Sequence, residues 1–416
     1  MELPRRKAMG LFAAGAATVA LGGSATAATG SGAFVIRDAR VFDGERVLPH
    51  ASVLVADGRI RAVGEVLAAG VPVHDGRGRT LLPGLIDCHV HLNETARADA
   101  LRFGVTTELD MFGDPSGLAE ARRQRRGHAR TGQADLWSAG FGVTVPDGHP
   151  RGPGFPRLTP GADPDAFVGE RVAEGSDFIK LVIEDGSPEH PFPTLTPAQA
   201  RAVVQAAHRR GRLAVAHAEQ LHNTRIAVDA GADALVHVWT DTEATPEFAA
   251  ALRAAGTVVV PTLSVYDCGA SADSLLADPR ITPYLSAPQR ESLTKRSTRC
   301  RPSFLRNALA NVRRLHAEGV PVLAGTDATM PGAAHGPSML TEIAHLVTAG
   351  LTPAQALAAA TSVPAKHFAL SDRGRLARGL RADLLLVEGD PTTDITALRE
   401  IHTIWKNGYP VERMPV

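Results

Sequence analysis

The chain has 416 residues and balances 44 Lys and Arg against 44 Asp and Glu, so it carries no formal net charge. That balance argues against nucleic acid or another polyanion as partner, and the length is enough for one large barrel plus a small second unit. Aromatic residues make up only 5%, so the core has to be built from Ala, Val and Leu.

Residues 1–30 read as an export signal that is cleaved. PRRK gives a charged start, MGLFAAGAATVALGG an apolar middle and SATAA a small-residue cleavage site near Ala27. The apolar stretch is too short and too Gly-rich to span a bilayer. The expected location is therefore secreted or periplasmic, with no membrane attachment after cleavage. Arg5-Arg6 point to the twin-arginine route, and an ordinary secretory signal is the competing reading.

Residues 33–80 alternate as short strands with turns at DG and GRG, and residues 375–416 resume that pattern in ADLLLVEGD and IHTIWKNGYPV. The spacing predicts a small β-sandwich assembled from both ends of the chain. Between them, over 81–374, strand and helix alternate eight times, which predicts an α/β fold of the (β/α)8 TIM-barrel type. The predicted strands are LLPGLIDCHVHL, GVTTELDM, ADLWSAGFGVT, FIKLVIED, LAVAHAE, ALVHVW, TVVVPTLSVY and PVLAGTDA. Three connections stand out as pocket walls: 144–162, 187–195 and 267–288. The basic run 121–130 sits at helical spacing and reads as a solvated helix face.

Six residues close these strands. His89 and His91 lie two apart at the end of strand one, on one side of an extended chain. Lys180 is in strand four, His217 in strand five, His237 in strand six and Asp327 in strand eight. Barrel enzymes keep their chemistry at strand C-terminal ends. Four imidazoles and a carboxylate form an N/O donor set suited to divalent ions, most fittingly zinc. A lysine among metal ligands makes sense as its N-carboxylate, formed with CO2 or bicarbonate, which bridges two cations.

At this point the chain resembles the amidohydrolase superfamily in its imidazolonepropionase-like branch, through LLPGLIDCHVHL, FIKL, AHAE, the LVH of His237 and GTDA. The tail LTPAQALAAATSVPAKHFALSDRGRLARGLRADLLLVEGDPTTDI is similar to that branch's C-terminal signature. The resemblance implies that His89, His91 and Asp327 bind the more buried ion and His217 and His237 the more exposed one. Carboxylated Lys180 bridges them. It further implies a metal-bridging hydroxide as nucleophile, with Asp327 as proton shuttle.

Beyond the ligands, His149 resembles a loop histidine of the family that faces the substrate. Tyr266, at the end of strand seven, is a candidate for steadying an oxyanion. His335 is a third candidate substrate contact or a supporting residue. Arg151 and Arg157, in the first long loop, are available to hold a substrate carboxylate. The branch is implied to cut amides, dipeptides, ureas, lactones and cyclic imidazolones. The expected substrate is a small molecule with a C–N bond, and lactone or ester hydrolysis is the runner-up. A non-catalytic ligand-binding barrel is the remote alternative, and self-association into a homo-oligomer stays open. Cys88, between Asp87 and His89, reads as a packed apolar side chain. Cys268 and Cys300 flank an irregular stretch, and in an oxidising compartment they either pair or remain two free thiols.

Overall fold

The computed structural model describes residues 17–18, 32–67, 69–297 and 300–416. The export signal read in residues 1–30 lies outside them, apart from Ala17–Thr18. None of the helices among the described residues is long and apolar enough to cross a membrane.

The run LLPGLIDCHVHL, which reads as one strand, serves two sheets. Arg79–Pro83 joins the sheet of the chain ends, and Leu85–Val90 begins the parallel set. Gly84 is the hinge between them, because a Cβ there would sit 2.3 Å from Thr106 Oγ1. Only glycine lets the backbone lie so close against the Thr106 side chain.

The chain ends form one continuous mixed sheet. Its order is Tyr409–Pro410, Ile401–Lys406, Leu384–Glu388, Arg79–Pro83, Phe34–Phe42, Val47–Ala56 and Arg59–Gly64. Arg79–Pro83 stitches the two halves together, antiparallel to Leu384–Glu388 and parallel to Phe34–Phe42. That pairing explains why two separately paired sheets do not form. A bridge between Arg59 and Arg381 draws the far edge back towards the C-terminal strands. Ile36, Val53, Ile60, Leu81, Leu384 and Trp405 fill the enclosed apolar space.

The rest is a TIM-barrel-like α/β arrangement. Leu85–Val90 pairs in parallel with Val105–Asp110, which pairs with Asp135–Ser138. A parallel bridge from Val143 to Leu181 leads to Ile179–Val182. Ala214–His217, Ala234–Val236 and Val258–Val260 follow, each parallel to the one before. Bridges from Val259 to Val322 and from Ala328 to Val90 return to the first strand.

Strand parity then decides which side chains face inward. Ile179, Leu181, Ala214 and Ala216 pack in the large apolar cluster that also holds Val203 and Val204 of the helix Pro197–Arg209. Lys180 and His217 are consequently turned to the opposite side. Cys88 is fully buried in a second apolar cluster with Ile86, Val215 and Val236, as expected for a packed thiol.

Local sequence signals explain the helix starts. LTPAQA occurs at 195–200 and again at 351–356, and each copy begins a helix with a capping box, Thr196 with Gln199 and Thr352 with Gln355. Proline occupies the first helical position in both, where its missing N–H loses nothing.

One expectation changes, and the open question of the two cysteines is answered in favour of pairing. Residues 267–288 are largely helical, with Ala270–Ala277, Thr282–Tyr284 and the start of Ala287–Thr294, where Ser286 and Gln289 supply a third capping box. Cys268 and Cys300 are joined, with Cα atoms 5.3 Å apart. The basic run follows its reading as a helix face: Leu118–Arg126 is a helix whose Arg122 and Arg125 pair with Asp177 and whose Arg123 pairs with Glu120.

Buried ion pairs fasten the terminal sheet to the parallel set. Lys406 Nζ lies 2.7 Å from Asp135 and 2.8 Å from Asp383, and Arg373 Nη1 lies 2.6 Å from Asp135. All four side chains are buried.

Candidate metal centre

The first three of the six residues meet where strands one and eight adjoin. Asp327 N–H donates to the His89 carbonyl at 2.7 Å, which clamps the two strand ends together. Gly325 permits this, since a Cβ there would sit 2.4 Å from Val260 and 2.9 Å from the His89 nitrogen. Buried Asp87 braces strand eight from behind, accepting the Thr326 N–H at 3.0 Å and its hydroxyl at 2.7 Å. As a result His89 Nε2 and His91 Nε2 stand 3.3 and 3.2 Å from the same oxygen, Asp327 Oδ1.

A second group adjoins the first. Ligand-capable atoms of His217, Glu219 and His237 lie within 4.8 Å of one another, as do those of His89, His91 and Asp327. The His237 ring centroid is 4.8 Å from that of His89 and 4.6 Å from that of His217. Lys180 is buried among them, near enough for its charge to bear on His89, His217, His237 and Asp327. All six predicted residues thus converge.

Supporting bonds orient the rings. His237 Nδ1 is 2.7 Å from the Thr262 hydroxyl, and His91 Nδ1 is 3.3 Å from the Phe112 carbonyl. In each case Nε2 is the remaining ring nitrogen, and such outer bonds set which tautomer faces an ion. His237, Thr262 and Asp327 all hold φ between 52° and 73°. Non-glycine residues in the left-handed region store strain that surrounding packing must hold, and such strain clusters at functional sites.

Electrostatics favours neutral imidazoles here. Burial drives His89 and His217 well below the ordinary histidine range and brings His237 to about 3. Burial also lowers the Lys180 ammonium to about 7. Burial works against charge on His91 too, but Asp327 beside it outweighs that and raises it. Both nitrogens of His89, Nε2 of His217 and Oδ1 of Asp327 are buried without a hydrogen-bond partner. Buried polar atoms are nearly always paired. Three neighbouring residues that each offer an orphaned ligand atom are what cations would satisfy, so the donor set fits divalent ions.

The other predicted residues fall around this centre. The His149 ring stacks 5.0 Å from His217, and its carbonyl is held by the Thr144 hydroxyl at 2.6 Å. Tyr266 is not at a strand end as expected. The strand stops at Val260, and Leu263–Tyr266 is a 3-10 turn whose first N–H groups are capped by buried Glu342 at 2.9 Å. The Tyr266 hydroxyl is buried without a hydrogen-bond partner, and burial keeps it protonated well above its ordinary range. His335 as a substrate contact is corrected. Its side chain is 2% exposed, with Nδ1 2.6 Å from Glu108 and Nε2 3.1 Å from the His91 carbonyl, so it supports the backbone behind His91.

Glu219, Thr262, Glu108 and Glu342 were not singled out by sequence. Only Glu219 carried a legible signal, standing two residues beyond His217 in AHAE. A cleft of about 710 Å³ opens beside His149, formed by the first long loop and the hairpin loop of Gly186–Pro193. Two of the three expected pocket walls therefore meet there.

Comparison with known proteins gives a consistent picture. The model of the amidohydrolase family matches residues 80–411. An imidazolonepropionase of Anaeromyxobacter dehalogenans is 28% identical over 402 residues, covering 82% of this chain and 84% of that protein. An ochratoxinase of Aspergillus niger is 25% identical over 426 residues, covering 88% and 83%. Among solved structures, a Xaa-Pro dipeptidase with bound methionine in the active site superposes with a TM-score of 0.72 at 23% identity, covering 91% of this chain and all of that one, a likeness of fold.

Proposed function

The chain belongs to the amidohydrolase family, and on that premise we propose that it is an exported, two-metal hydrolase of a C–N bond in a small molecule. The observation that carries this reading is the convergence of His89, His91, Lys180, His217, His237 and Asp327, with ligand-type atoms of His89, His217 and Asp327 buried and unpaired. In this reading His89, His91 and Asp327 would hold one ion and His217 and His237 the other, with Lys180 as its N-carboxylate available to both. Zinc suits the donor set. Ions held there supply Lewis-acid polarisation of a carbonyl and acidify water.

The chain's own residues supply the rest. Asp327 is the buried carboxylate next to His91 and His237, and it accepts a proton and returns it to the leaving nitrogen. Tyr266 enters as a protonated phenol and donates to the developing oxyanion. His149, stacked on His217 at the mouth of the cleft, contacts the substrate. Residues 84–374 form a (β/α)8 barrel that carries this site. Residues 33–83 with 375–416 form the small sandwich-like β unit that braces its third strand through Lys406. The export reading of residues 1–30 favours an exogenous substrate.

The test is a panel of N-acyl amino acids, dipeptides, lactones and aryl esters assayed with metal-loaded enzyme. Turnover of amides that is abolished by chelation is the expected result. Turnover confined to lactones or esters overturns the C–N assignment.

A further inference from the structure

The cleft beside the metal centre is unusual in its charge. Its wall contains Pro146, Asp147, Arg151, Arg157, Phe192 and Pro193, so two guanidinium groups face a single carboxylate. Arg151 lies 5.1 Å over the Phe192 ring, and Arg157 lies 4.2 Å over the Phe155 ring. Neither arginine forms an ion pair with an acid among the described residues. Arg157 is held in place by the Phe155 carbonyl at 3.4 Å and by the Gly152 carbonyl. Its Nε is nevertheless buried with no hydrogen-bond partner. A buried charge-bearing donor left unpaired is costly, and a bidentate anion is its natural complement.

The cleft wall approaches the site through His149. The Phe192 ring is 6.2 Å from His149, which stacks on His217. A molecule reaching from His217 past the His149 face would meet a wall that combines Phe192 and prolines with the two arginines.

We propose that Arg151 and Arg157 form a carboxylate-binding subsite, so that the substrate is an amide bearing a free carboxylate and an apolar side chain, of the N-acyl amino acid or dipeptide class. The inference rests on the C–N hydrolase reading for its catalytic meaning, but the subsite is testable apart from it. A merely structural role, pinning the loops by cation–π contact, predicts no preference for acids.

Two readouts on the metal-loaded enzyme test it. The first is turnover of N-acetyl-L-phenylalanine and N-acetyl-L-methionine against their decarboxylated counterparts. Wild type is expected to favour the acids by about 10-fold or more in kcat/KM, mainly through KM. In the Arg151→Gln/Arg157→Gln double variant that ratio falls to near one. The second is calorimetric binding of 3-phenylpropanoate against 3-phenylpropan-1-ol. Carboxylate affinity for the metals is common to both proteins, so the comparison of wild type with the double variant isolates the arginines. Equal ratios in wild type and variant, in turnover or in binding, overturn the proposal. Binding preference with no turnover of any amide refutes the hydrolase reading and leaves the subsite standing.

Discussion

Replacing Thr262 by Val tests whether the outer metal position depends on a bond one shell away. The substitution keeps the β-branched shape, so the strain of holding φ 52° is the same before and after. It removes the hydroxyl 2.7 Å from His237 Nδ1, and both side chains are buried, so water does not replace it. Either the Nδ1 proton stays unsatisfied, or the ring moves its proton to Nε2, the nitrogen proposed to face the ion. An unsatisfied buried donor costs about 1–3 kcal/mol. Loss of such a ring-orienting bond lowers metal affinity by roughly 10–100-fold, or about 1.4–2.7 kcal/mol. Titration against a chromophoric chelator should show one ion weakened by that factor and the other retained. Both ions binding Thr262→Val with wild-type affinity would refute the assignment of His237 Nε2 as a ligand atom.

Changing Asp327 to Asn keeps the shape but removes the proton acceptor. Steady-state kinetics should show kcat lower by roughly two orders of magnitude or more, and near-normal kcat would end the proton-shuttle role. Lys180→Ala should lose activity together with one ion, and short carboxylic acids in the assay should restore part of both by standing in for the bridge. Replacing Cys268 and Cys300 with Ser opens a loop of sequence separation 32. The unfolding free energy from urea titration should drop by about 3–4 kcal/mol on the chain-entropy account, and no change would show that the bridge does not stabilise the folded chain.

The convergence of these strand-end residues was legible in sequence because strand parity and the barrel rule both act locally. His89, His91 and His217 face the site for the same reason that Ile179 and Leu181 face the helices: alternate residues take alternate sides. What escaped depends on long-range or backbone facts. His335 meets Glu108 across 227 residues, and no local pattern announces that pairing. Thr262 looks like one more strand residue in VVVPTLSVY, but its left-handed backbone ends the strand and turns Tyr266 inward. The terminal sheet draws its strands from both ends of the chain, where the sequence predicts a sandwich. Its pairing was not legible, because the break at Gly84 sends half of an uninterrupted apolar run to each sheet.

The metal content of the active enzyme bears most directly on the central claim. Purified protein brought to full activity, then freed of loose ions and analysed by elemental mass spectrometry, should hold two divalent ions per chain. A fully active chain holding one ion or none would contradict the two-metal site built on Lys180.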